Sequence, residues 1–474
     1  MFDIILQNAN AVLPSGLALS DIGIKGERIT AIAAPGSLFS DRARVIDVAG
    51  KLVVPGGIDP HIHCSRPMKI SSGEKFTSGS PEQVSRAALH GGTTMLMDFV
   101  QCHPEETLEH SIGETDRLWE GQCYSDYAYH MTLHGSVPPK QLDEIGEAIG
   151  RGYASVKMFT TDLTPSRRGR MLNYGDIWEV LKIVAAAGGI SAIHAEDNDI
   201  VMHMYEKLIR EDRVAFENMA EVHNTLSEDL AFNRIIRLAE NVEGAALYMM
   251  HTSASAGVAA VERSRAQGFP IYGETLHQYL LYTAEDYKRP NGQIYHTYPS
   301  IKYQADQDDL WRSLKSGGLH AIATDEVCCP LRIKTLGKRI DDATGGNSGV
   351  EPRLCLMYTE MVEKRGFSVE HFVDLTSSNI AKIMGMYPQK GAIAVGSDAD
   401  LVVLDPDAGG ELDAARLHET DYTPWQGWHV AVWPKITMLR GRIVVEDGEF
   451  KADLDYGRWV PRKVSQPILS GTGV

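Results

Sequence analysis

The chain has 474 residues, 43% of them hydrophobic and 23% charged, enough for one large domain and a smaller one. Its formal charge of −17, with no basic run, argues against nucleic acid and against an anionic membrane surface. No apolar run approaches the roughly 18 residues that cross a bilayer, and the six cysteines lack CxxC spacing, so a reducing cytoplasm is the expected location.

In chain order, the first fifty residues read as short strands at 3–6, 21–24, 29–32 and 44–47, separated by turns at Ser15-Gly16 and Lys25-Gly26. The start lacks the basic and apolar segments of a secretory leader. The middle then alternates. Strand-like runs are expected near 53–58, 94–99, 127–133, 153–157, 190–194, 246–251, 269–274 and 320–324, with helical patterns between most of them, as at 81–90, 105–121, 176–187 and 227–239. Ser80 suits an N-cap, Pro81 the first turn, and Gln83 the far side of a capping box. Strands return at 400–404, 436–439 and 442–445. Eight strands alternating with helices fit a (β/α)8 TIM barrel, although a doubly wound sheet has the same alternation. The division expected is a β-sandwich part at 1–54, the barrel at 55–384, and the rest of the sandwich with a C-terminal tail at 385–474.

His61 and His63 lie two residues apart on an extended segment, so both imidazoles project from one face and can reach one metal ion. Other potential ligands fall at or just past further strand ends: Lys157, His194, His251 and Asp325. In a barrel those ends converge on one face. Each residue alone is more simply a structural strand-end group, but six converging by topology point to a metal site. Asp59, two residues before His61, suits either a ligand-orienting carboxylate or a strand-end cap.

These segments resemble the amidohydrolase superfamily, and within it the cyclic amidases: dihydropyrimidinases and hydantoinases. The residues that carry the resemblance are Pro55-Gly56-Gly57-Ile58-Asp59-Pro60-His61-Ile62-His63, Ala154-Ser155-Val156-Lys157-Met158-Phe159, Ile193-His194-Ala195-Glu196, Met250-His251-Thr252-Ser253, Glu274-Thr275 and Ala323-Thr324-Asp325. Lys390-Gly391 and Gly396-Ser397-Asp398-Ala399-Asp400-Leu401 continue it. The resemblance implies a hydrolase for cyclic amides with two divalent ions, zinc first and manganese, cobalt or iron as alternatives. His61, His63 and Asp325 would hold one ion, and His194 and His251 the other. Lys157, carboxylated by carbon dioxide, would bridge them. Two dications about 3.5–4 Å apart repel by on the order of 18 kcal/mol at an effective dielectric of about 20, so an anionic bridge is required. Asp325 is also the implied proton carrier, Ser300 and Asn347 the substrate contacts, and a homotetramer the assembly. An amidohydrolase for another C–N bond, or a non-catalytic scaffold of the same fold, are the competing readings.

The pattern departs in three places. Asp162 stands where hydantoinases usually carry an oxyanion-stabilising tyrosine; Tyr153 and Tyr174 are candidate substitutes. Arg66 falls one position later than the carboxylate-binding arginine of dihydroorotases, which on a strand turns it to the opposite face. Leu276-His277 replaces a Cys-Pro pair, and His277 is expected to be packed or solvated. The aromatic stretch 422–433 suits packing either between subunits or within one chain.

Overall fold

The computed structural model describes residues 1–69 and 73–474. Eight parallel strands follow one another in chain order around a single sheet: Gly57–Asp59, Thr93–Cys102, Asp126–Leu133, Ser155–Phe159, Ile190–His194, Leu247–Met249, Ile271–Leu276 and Ala321–Ala323. That order has no reversal, which a doubly wound sheet would need. Just past the first and eighth strands, Ile62 pairs in parallel with Glu326, and the His63 amide donates to the Glu326 carbonyl at 2.8 Å. Asp59 adds a side-chain tie there, accepting from the Thr324 hydroxyl at 2.6 Å. The sheet is therefore a nearly closed TIM barrel.

Helices occupy the connections because the sequence caps them. Pro81–His90 begins where Ser80 accepts from the Gln83 amide at 3.2 Å; Tyr174–Ala186 and Thr225–Ala239 begin on Asn173 and Asn224 in the same way. The capping box expected at Gln83 does not form. Its side-chain amide donates instead to the Glu419 carbonyl at 2.6 Å, a tertiary tie that outcompetes the local one. Inside the barrel, Met95, Met97, Ala128, Ala192, Tyr248 and Tyr272 form a buried core that continues into Val460, Val464 and Ile468. The C-terminal tail thus covers the end of the barrel opposite the histidines. Its Arg462 donates to the Ser155 hydroxyl at 2.8 Å, and Tyr272 donates to the Ile468 carbonyl at 2.6 Å.

A separate nine-stranded sheet joins segments from both ends of the chain, among them Ile4–Leu13, Gly16–Lys25, Leu52–Pro55, Leu401–Asp405 and Trp433–Leu439. Ile24 and Ile29, near one edge, share a core with Met438 and Ile443 near the other, so the sheet folds over on itself. The run expected as one strand at 53–58 is divided between the two sheets. Leu52–Pro55 pairs with Leu401–Asp405, and Gly57–Asp59 opens the barrel. The break falls at Gly56, where a Cβ would lie 2.1 Å from the Thr94 hydroxyl, so only glycine lets the chain cross there.

The two sheets are locked by buried charge. Lys390, 1% exposed, faces Asp398 at 2.9 Å and Asp400 at 2.7 Å, and also pairs with Asp126, which begins the third barrel strand and takes a second cation in Arg440. Removing one member of such a group strands the others without compensation. Lys390→Met is expected to lower stability by about 3–5 kcal/mol, read from the urea midpoint; a loss below about 1 kcal/mol would contradict the lock.

Candidate metal centre

The six predicted ligands arrive at one end of the barrel. His61 and His63 leave the first strand, His194 ends the fifth, His251 follows the sixth and Asp325 the eighth. Lys157 is the middle residue of Ser155–Phe159 rather than its last, yet its long chain brings Nζ into the same cavity. His251 and Asp325 take left-handed backbone conformations, φ 39° and 53°. For residues with a Cβ such strain costs on the order of 1 kcal/mol or more, and it clusters where side-chain placement matters.

The Asp325 carboxylate lies 3.2 Å from His61 Nε2 and 3.1 Å from His63 Nε2. His194 Nδ1 faces His251 Nε2 at 2.9 Å. Ligands of one tetrahedral ion with bonds of about 2.0–2.1 Å sit about 3.3 Å apart, so both spacings suit donor atoms around a shared cation. The halves adjoin, with the His61 and His251 rings 5.4 Å apart.

Carboxylates behind the rings decide which nitrogen is free. Glu274 accepts from His61 Nδ1 at 2.9 Å and also from the His251 amide at 3.0 Å, leaving His61 Nε2 facing inward. Glu196 accepts from His194 Nε2 at 2.8 Å and from His223 Nδ1 at 2.8 Å, leaving His194 Nδ1. Asp59 accepts from the His61 amide at 3.2 Å, so it serves both the ligand segment and barrel closure. Burial drives His63 and His194 down to about 4 and His251 well below its ordinary value, so all three rings are neutral and carry lone pairs near pH 7. Burial pushes Asp325 up, but His61, His63 and the Thr297 hydroxyl outweigh it and hold the carboxyl below its usual range.

Lys157 is 1% exposed and has no carboxylate within ion-pair distance among the described residues. Its Nζ meets the Met250 thioether at 2.7 Å and stands over the Phe159 ring at 4.9 Å. Burial brings its amine down to about 7. An amine so placed suits conversion to a neutral or anionic form far better than permanent charge.

Two other groups of three potential ligands occur among the described residues, and neither suits an ion. Asp126, Asp398 and Asp400 already hold Lys390. His90 and His418 stack 3.5 Å apart at 4°, so their in-plane lone pairs lie in parallel planes and share no point.

The side chains of the two expected substrate contacts, of which Ser300 would act through its backbone, are engaged behind the cavity. Ser300 is buried, donating to the His223 carbonyl at 3.0 Å, and Asn347 donates to the Tyr295 carbonyl at 3.3 Å; neither borders the cavity. Asp162 binds its own loop, accepting from the amides of Arg170 at 2.9 Å and Met171 at 3.0 Å. Tyr153 packs on Trp459 near the opposite barrel end, and Tyr174 starts a helix; neither lines the cavity. Arg66, expected to turn away, does line it, tied to Asp98 at 2.8 Å. His277 is packed, as expected, on Trp425 at 4.4 Å. Trp425 is fully buried within this chain, so that part of the aromatic stretch serves intramolecular packing.

The cavity has a volume of about 490 Å³, with Phe159, Tyr298 and Thr132 on its walls. Among the described residues, no helix is long and apolar enough to cross a membrane.

A model of the amidohydrolase family matches residues 52–444. A D-hydantoinase from Ralstonia pickettii is 31% identical over 97% of this chain and 99% of its own length; an L-hydantoinase from Paenarthrobacter aurescens is 30% identical over 98% and 99%. Among solved structures, a dihydropyrimidinase from Brevibacillus agri superposes with a TM-score of 0.91 at 29% identity, covering 98% of this chain and all of that one. With the barrel, the folded outer sheet and this cluster of donors, these likenesses establish that the chain belongs to the amidohydrolase family, in its hydantoinase branch.

Proposed function

We propose that the chain is a binuclear metal-dependent hydrolase that breaks the C–N bond of a cyclic amide or ureide of the hydantoin or dihydropyrimidine type. The observation that carries the reading is the meeting of two donor sets, His61, His63 and Asp325 beside His194 and His251, around a buried lysine that, among the described residues, has no carboxylate within ion-pair distance. The similarity to D- and L-hydantoinases along nearly the whole chain supports a ring substrate. His61, His63 and Asp325 would hold one ion and His194 and His251 the other; nitrogen and oxygen donors suit zinc, with manganese, cobalt and iron as alternatives. When bound, the ions supply Lewis acidity and make hydroxide available near neutral pH.

The protein's own groups divide the remaining work. The Lys157 amine, when unprotonated, attacks the carbon of carbon dioxide; an N–C bond forms, one C=O pair moves to oxygen, and a proton leaves to water. The carbamate so made would supply the negative charge that two close dications require. Asp325, held ionised and with its second oxygen fixed by Thr297, accepts the proton of the attacking water and passes it to the departing ring nitrogen, which leaves poorly as an anion. Thr132 Oγ1 is buried, has no hydrogen-bond partner, borders the cavity and lies level with Lys157 on the neighbouring strand. It is our candidate for the oxyanion donor in place of the absent tyrosine. Six unpaired, buried cysteines suit a reducing cytoplasm, and a homotetramer is the proposed assembly.

Incubation of the metal-loaded protein with hydantoin or 5,6-dihydrouracil is expected to give ring-opened carbamoyl acids, and chelation to abolish the reaction; turnover that survives complete metal removal would sink the proposal. At fixed dissolved carbon dioxide, carbamate formation in metal-free protein should accelerate as pH rises through about 7, because only the deprotonated amine attacks. A rate falling over that range would contradict the assignment. Thr132→Val is expected to cut kcat at least about ten-fold with a smaller change in KM; kinetics equal to the unsubstituted enzyme would remove Thr132 from the mechanism.

A further inference from the structure

The walls of the cavity are not those of a pocket for neutral rings alone. Among its lining residues are four arginines, Arg66, Arg167, Arg168 and Arg170, besides Lys157, and only one carboxylate, Asp325. Arg66 is accounted for by Asp98. Arg167 and Arg170 are not: among the described residues, neither guanidinium pairs with an aspartate or glutamate. Each stands over an aromatic ring of the cavity wall instead, Arg167 over Tyr298 at 5.4 Å and Arg170 over Phe159 at 5.0 Å.

The loop that presents them is pinned by Asp162. Asp162 accepts from the amides of residues 170 and 171, and its own amide donates to Asn198 at 3.1 Å, so the turn 162–171 is closed at its base while residues 167–170 reach over the cavity. The carboxylate that takes the oxyanion tyrosine's place thus positions arginines instead.

We infer that Arg167 and Arg170 form a carboxylate-binding subsite, and that the ring amide opened here carries an acidic substituent. The inference rests on the ring-amide reading above and specifies its substrate class. Geometry sets the reach. Lys157 Nζ is 4.9 Å from the centre of the Phe159 ring and Arg170 Cζ is 5.0 Å from the same centre, so the two are at most about 10 Å apart. A small ring with its scissile bond beside Lys157 and a one- or two-carbon acidic arm reaching toward Arg170 fits within that limit. The guanidinium fork matches a carboxylate with bonds of about 2.7–2.9 Å. Burial, then Arg167 and Arg66, outweighs the attraction of Asp162 and pulls Arg170 down to about 9, so an arriving anion relieves a repulsion already present.

The test compares 5-carboxymethylhydantoin with its neutral counterpart 5-(carbamoylmethyl)hydantoin, by calorimetric binding and by turnover, in the native enzyme, Arg170→Met and Arg170→Lys. The acid should be preferred by at least about ten-fold in kcat/KM and in affinity; the preference should collapse toward unity in Arg170→Met and be partly kept in Arg170→Lys. Equal handling of the two ligands by the native enzyme overturns the subsite, while opening of the neutral ring leaves the ring-amide reading intact. Arginine-dependent binding of the acid, with neither ring opened, supports the subsite and removes the ring-amide reading instead.

Discussion

The arrangement turns on one buried amine. Lys157 sits on the inner face of the barrel with a thioether and aromatic rings for neighbours, and the burial of its amine outweighs the attraction of Glu274 and Asp325. An ammonium taken out of water without a partner is costly, and the usual response is a shift in pKa that empties the charge. Its surroundings suit an amine that becomes something other than ammonium: neutral imidazoles on two sides, an ionised Asp325 across the mouth, and, among the described residues, no glutamate or aspartate within ion-pair distance.

The imidazoles are themselves held by groups one layer further out, and these join separate strands. Glu274, on the seventh strand, fixes a ring from the first and the backbone after the sixth. Glu196 links His194 to His223, whose Nε2 lies 3.0 Å from the Tyr205 hydroxyl. Asp59 binds the first strand to the end of the eighth. Because each carboxylate spans two elements, donor placement and barrel closure are one problem, and the left-handed backbone at His251 and Asp325 is strain that this framework can hold in place.

Much of the architecture could be read from residues alone, and the reasons are local. His61 and His63 announce themselves through the two-residue period of extended chain, and the alternation of apolar runs with capped helices gives the barrel. Less visible was whatever depends on distant partners. The run at 53–58 looks like one strand because apolar periodicity does not record that Gly56 passes under Thr94 between two sheets. Glu196 is two residues from His194 and could have been found by the same period that found the histidines; His223, on a short helix's end, carries no such signal. Ser300 and Asn347 were named as substrate contacts by likeness alone, Ser300 through its backbone; their side chains serve backbone carbonyls behind the cavity wall. Asp162 read as a missing oxyanion donor, whereas its carboxylate folds the loop that brings Arg167 and Arg170 to the mouth.

The central claim is that Lys157 becomes a carbamate between two metal ions. A crystal structure of the protein prepared with zinc and bicarbonate, with anomalous data at the zinc edge, tests it most directly. The account predicts planar density for three extra atoms on Lys157 Nζ and two anomalous peaks about 3.5–4 Å apart, each within bonding distance of the histidines named above. A bare amine at position 157, with a single anomalous peak or none, would contradict it.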